Sequence, residues 1–67
     1  MANKELLRRT IDNSGLKIGF IAKKLDMSRP TLYDRLNNPE KFTGEQIVFL
    51  SRLLRLGPES RDKIFFS

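Results

Sequence analysis

The chain has 67 residues and a mass of 7.8 kDa, with thirteen Lys and Arg against eight Asp and Glu, for a net charge of +5 and an isoelectric point near 10.1. That length fits one domain, spanning residues 1–67, and leaves little room for the walled pocket most enzymes need, while the charge surplus favours a polyanionic partner. With no Cys and no His, disulfides, a Cys/His zinc site and a histidine base are all excluded, no apolar run approaches the ~20 residues of a membrane span, and no signal-peptide pattern is present. The expectation is a soluble, cytoplasmic domain with no cofactor and no membrane partner.

Gly15, Asp26-Met27-Ser28, Asn37-Asn38-Pro39 and Gly57-Pro58 divide the sequence into five short segments, none with a sustained period of two. An all-α fold of four to five short helices follows. The first segment, 3–14, places Leu7 and Ile11 on one face beside Leu6, with Asn3 suited to cap its start and Gly15 to end it in the left-handed conformation. Glu5 and Arg9 are spaced to pair across one turn. The second, about 18–25, aligns Ile18, Ile21, Ala22 and Leu25 on one helical stripe. Phe20 falls opposite that stripe, where a polar residue is expected.

The third segment opens on Ser28, a strong N-cap residue, and Pro30 suits a first turn in which its missing N–H is not needed. Leu32 and Leu36 give it a narrow apolar stripe. Thr43-Gly44-Glu45-Gln46 then forms a capping box for the fourth segment, where Ile47, Val48, Phe49, Leu50, Leu53, Leu54 and Leu56 leave little polar surface. A helix apolar around most of its girth is expected at the centre of the fold. After the stop at Gly57-Pro58, residues 59–66 form either one or two turns of helix or a strand-like strip. Their apolar end, Ile64-Phe65-Phe66, either folds back to close the core, covering Phe20, or forms a subunit interface.

Two short helices joined by a three-residue break, in a basic domain, are the arrangement that braces one helix in the DNA major groove with another. Ala22 is small enough for a close helix crossing, Leu25 and Met27 flank the bend, and Leu32 anchors the second helix. With the Leu32/Leu36 stripe turned inward, the opposite arc of that helix carries Pro30, Asp34, Asn37 and Asn38. Thr31 and Tyr33 lie on its flanks, and Ser28 and Arg29 project from its N-terminal end.

The stretch IAKKLDMSRPTLYDRL resembles the helix-turn-helix of the lambda-repressor/Cro-like family of phage and mobile-element regulators. The following TGEQIVFLSRLLRL and the five-helix order match as well, so the resemblance covers almost the whole chain. It is most similar to small phage-type members whose recognition helix reads S-x-x-T-L-Y-x-x-L-N. It implies a lambda-repressor-like DNA-binding domain with the helix-turn-helix at about 17–37. Two positions depart from the pattern. Asp26 stands where the turn usually carries Gly, and Lys17-Ile18 replaces the usual Thr-Gln or Ser-Gln, so a phosphate contact there would pass to Lys17.

The resemblance implies a sequence-specific regulator of double-stranded DNA, most similar to a repressor of a prophage or mobile element, working in the bacterial nucleoid by operator occlusion. Base contacts would come from Ser28, Arg29, Pro30, Thr31, Tyr33, Asp34 and Asn37. Arg29 leads as a bidentate fork onto guanine, Asn37 reads adenine, and Asp34 either accepts from a cytosine amine or orients Arg29. Phosphate contacts would come from Lys17, Lys23, Lys24, Arg35 and Lys41, and five of them imply a salt slope of about −4 to −5 per monomer. A homodimer, formed free or only on DNA and closed through Ile64, Phe65 and Phe66, would span a pseudo-palindromic operator with half-sites ~34 Å apart.

Plainer readings stand beside these. Arg29 and the two lysines 23 and 24 suit any solvated helix face, Tyr33 suits half-buried packing, and Asp34 suits charge compensation. Residues 17–41 carry six basic and three acidic side chains against seven and five elsewhere, so charge alone does not locate the partner. A protein-interaction module, such as an antitoxin or a docking domain on the same fold, is the alternative, with Phe20 and Phe65-Phe66 as its patch. An enzyme is not expected, since no nucleophile has a base to activate it and no phosphate-cradling glycine loop is present. RNA binding has one tyrosine and no aromatic platform behind it.

Overall fold

Asn3 sets the first helix as its side chain suggests: Oδ1 accepts from the Leu6 N–H at 3.0 Å, and α1 runs Lys4–Ser14 to a left-handed Gly15 (φ 77°). The computed structural model describes residues 2–66, and among them every regular element is helical. Leu7 and Ile11 turn inward from α1. The spacing of Glu5 and Arg9 does not become an ion pair; both side chains stay exposed, where such a pair contributes little against the entropy of holding it.

Helix α2, Ile18–Lys24, buries Ile21 and Ala22, with Leu25 closing its end. Asp26 follows at φ 55°. Its N–H reaches Lys23 O at 3.1 Å, and the Met27 N–H reaches Ala22 O at 3.0 Å, the paired bonds of a Schellman stop. The non-glycine departure in the turn is therefore accommodated in the left-handed region itself, which Asp tolerates better than most residues. The Ser28 hydroxyl then accepts from the Thr31 N–H and α3, Arg29–Asn37, begins, with Leu32 and Leu36 fully buried. α3 packs on both α1 and α2.

A single 3-10 turn, Pro39–Lys41, leads to Phe42, which enters the core. The capping box forms as its residues require: Thr43 Oγ1 accepts from the Gln46 N–H and Gln46 Oε1 from the Thr43 N–H, each at 3.1 Å. Helix α4 spans Gly44–Leu53 and buries Ile47, Leu50 and Ser51. Its expected central position is not what the structure shows. Val48 and Phe49 are 45% and 47% exposed, and α3 is the helix packed among α1, α2 and the 3-10 turn. In so short a chain too few elements remain to cover every apolar side of α4.

The α4 stop also lies earlier than Gly57-Pro58. Arg55 adopts φ 56°, the Leu56 N–H reaches Ser51 O at 2.9 Å, and a second Schellman motif ends the helix. Gly57 is extended and serves as N-cap of α5, Pro58–Phe65. The C-terminal segment is thus helical, not a strand-like strip. It folds back onto α1, where the Asn3 N–H meets Ile64 O at 2.6 Å. Ile64 and Phe65 close the core there, and Phe20, which they were expected to cover, remains 44% exposed. All five helices contribute to one buried cluster, inside a body of 27 × 22 × 20 Å.

Candidate nucleic-acid interface

Because Leu32 and Leu36 fix the rotation of α3, its outward face is determined. Of the arc the helical wheel assigns, Pro30, Asp34 and Asn37 are exposed, whereas Asn38 is half-buried; Arg29 at the helix start and Tyr33, expected on a flank, are exposed with them. Thr31 and Arg35 sit half-buried on one flank. Ser28 is exposed, but its hydroxyl is engaged, accepting from the Thr31 N–H and donating to Thr31 Oγ1 at 2.9 Å. Its first role is to hold the start of α3.

Arg29 does not stand free at the tip of its helix. Its guanidinium folds back across the turn and lies against Gly19 on α2, so the starts of α2 and α3 share one surface. Arg29 makes no hydrogen bond or ion pair among the described residues, which leaves its forked donors without an internal acceptor. Lys17, the N-cap residue of α2, is exposed on the same helix start. Gly19 is the second residue of α2, where glycine is less favourable than Ala by at most about 1 kcal/mol, the figure for a helix interior.

Asp34 has local partners. Its carboxylate holds Lys41 at 3.1 Å and receives the Asn38 side-chain amide at 3.4 Å, while that amide also donates to Asp34 O at 3.0 Å. The carboxylate thus braces the end of α3 against the 3-10 turn, and the expected orientation of Arg29 by Asp34 is not observed. Asp34 and Lys41 are about half exposed, so the bridge is a weak one that water and salt compete for. Asn37 remains exposed beside it.

Tyr33 meets the Arg8 guanidinium of α1, 5.8 Å from the ring centre, and stays 43% exposed. Packing and an outward role are compatible at this ring, since only part of it is covered. Lys23 and Lys24 are exposed, and Lys24 Nζ lies 5.5 Å from the centre of the Phe20 ring. That contact gives the misplaced aromatic a neighbour the helical stripe did not suggest. Arg35 Nε is buried without a hydrogen-bond partner, so this residue is set deeper than a freely reaching surface cation.

The candidate dimer contacts divide sharply. Ile64 is 1% and Phe65 7% exposed, both inside the chain's own core, while Phe66 is 61% exposed. Only Phe66 of the three is accessible to a partner. Sequence reasoning missed Arg8, Gly19, Val48 and Phe49 as surface features. The one signal available was Gly19, a glycine in a short helical pattern where a better helix former would be expected.

No helix among the described residues is long and apolar enough to cross a membrane. No protein-family model, curated protein or solved structure matches the chain.

Proposed function

We propose that this chain is a sequence-specific double-stranded DNA-binding regulator of the lambda-repressor/Cro-like kind, without catalytic activity, that acts by occupying an operator. The observation that carries the reading is the outward face of α3: Arg29, Tyr33, Asp34 and Asn37 are exposed together, directly beside the start of α2. That face is short, convex and polar, dimensions suited to the ~12 Å major groove. Arg29 supplies the fork for guanine and Asn37 the amide for adenine, with Pro30 and Thr31 lining the helix start and Tyr33 alongside a sugar or a thymine methyl.

Lys17, Lys23 and Lys24 hold phosphates and set register, with Arg35 and Lys41 as further cations. Lys41 is held by Asp34, so it reaches a phosphate only where that bridge opens and adds little to the salt dependence of the intact chain. Two copies would occupy half-sites one helical turn apart, with Phe66 as the C-terminal contact between them. The site of action is then the bacterial nucleoid.

One observation favours a second reading. Phe20 and Phe49 are exposed, and Lys24 touches Phe20 and lines a surface groove together with Phe49. A docking module would use this surface; of the Phe65-Phe66 pair expected to join Phe20 in it, Phe65 is buried in the core.

Selection of bound duplexes from a random-sequence pool at ~150 mM salt, where purely electrostatic binding is suppressed, separates the readings. An enriched motif with paired half-sites supports the dimeric regulator, and a single half-site supports a monomeric one. No enrichment overturns the DNA reading and moves the weight to a protein partner.

A further inference from the structure

We propose that Gly19 is a specificity-determining position: its missing side chain is the seat that holds the Arg29 guanidinium in the orientation from which it reads a base pair. This deepens the DNA-binding reading above and rests on it. A Cβ at position 19 would lie 2.6 Å from Arg29 Nη2, 2.9 Å from Nε and 3.1 Å from Cζ. The first two separations are shorter than real Cβ atoms accept, so any side chain at 19 displaces the guanidinium. The atoms in collision are the far end of a flexible side chain, so Arg29 moves and the α2 backbone does not.

Gly19 is the second residue of the seven-residue helix α2, a place where Ala would serve the helix better, and its backbone is not left-handed. No turn geometry therefore calls for glycine. What glycine permits there is the close approach of Arg29, ten residues on and across the turn. An arginine has many rotamers to lose on binding, and one already laid along the α2 backbone loses fewer. Its five N–H donors remain without an acceptor inside the fold, available to the O6 and N7 of a guanine. The seat also links register to readout: α2 fixes the position of the backbone contact at Lys17, and Gly19 fixes the fork relative to it.

The test compares wild type, G19A, R29A and the double variant G19A/R29A. In the free protein, the Nε–H resonance of Arg29 reports the seat, and thermal unfolding reports the fold. G19A is expected to unfold a few degrees higher, from improved helix propensity, with the Arg29 resonance displaced. On the duplex selected by wild type, G19A is expected to lose about tenfold in affinity and to lose preference at the same base pair as R29A. The double variant should bind no worse than R29A alone, because both changes remove one interaction.

An unmoved Arg29 resonance in G19A overturns the seat, whatever happens on DNA. A G19A protein with wild-type affinity and preference, or a double variant whose losses add, overturns the specificity role. If wild type itself selects no sequence while the Arg29 resonance does move, the DNA reading fails and the base-reading role falls with it, but the seat stands. The two failures are thus told apart in the same set of proteins.

Discussion

Phe42 and Phe65 meet edge to face, with ring centres 6.0 Å apart and planes at 90°. The contact joins the segment after α3 to the last helix, and both rings are buried. Phe65→Ala removes this contact and should destabilise the fold by ~3–5 kcal/mol, read by urea unfolding. For a domain of this size that is a large share of the total. Phe66→Ala, next along the chain but exposed, should change stability by less than ~0.5 kcal/mol and show its effect, if the homodimer forms there, in sedimentation on operator DNA. Equal losses from both would refute the division between a buried and an exposed phenylalanine.

Asp26 and Arg55 occupy equivalent left-handed positions at the ends of α2 and α4. Glycine at either place relieves the Cβ clash at some cost in unfolded-chain entropy. Asp26→Gly and Arg55→Gly should therefore each stabilise by about 0.5–1 kcal/mol, and the two gains should add because the turns are separate. A loss of stability from Arg55→Gly would mean that its side chain, not its backbone, matters there.

Asp34→Ala removes a carboxylate from the outward face of α3 and releases Lys41. Affinity for DNA of any sequence should rise severalfold, and the slope of log K against log salt should steepen by about 0.9, one additional phosphate contact. If Asp34 instead accepts from a cytosine, the variant loses preference at one base pair, which the same titrations over a panel of duplexes would reveal. Lys41→Ala, by contrast, should leave the wild-type slope nearly unchanged.

Arg29→Ala should lose ~1–3 kcal/mol on the selected site and relax preference at one base pair, while Lys24→Ala should weaken all sequences alike. Uniform weakening from Arg29→Ala would make it a phosphate contact, and an altered preference from Lys24→Ala would make it more than one. Binding isotherms on the selected duplex and its single-base variants decide both.

What could be read ahead of the structure was local. Asn3, Ser28 and the Thr43–Gln46 box act on amides within three residues, and the stripes Leu7/Ile11 and Leu32/Leu36 repeat within a turn, so sequence neighbours suffice to find them. The side of α4 that stays bare was not legible, because it depends on which helices remain to cover it. Nor was the left-handed Arg55, since a glycine two residues later offered a stronger stop signal. At the candidate site, the outward arc of α3 followed from its core stripe, whereas Arg8 on Tyr33, Lys41 on Asp34 and Arg29 on Gly19 are meetings across turns or between helices. Such pairs exist only once the backbone has folded, and Asp34 accordingly found a different cation from the one expected.

The bond from the Asn3 N–H to Ile64 O ties the start of α1 to the last turn of α5. Leu7 and Ile11 of the one helix and Ile64 and Phe65 of the other share a single buried cluster. Lifting α5 away therefore uncovers α1 as well, and the amide hydrogens of the two helices should lose their protection from exchange together.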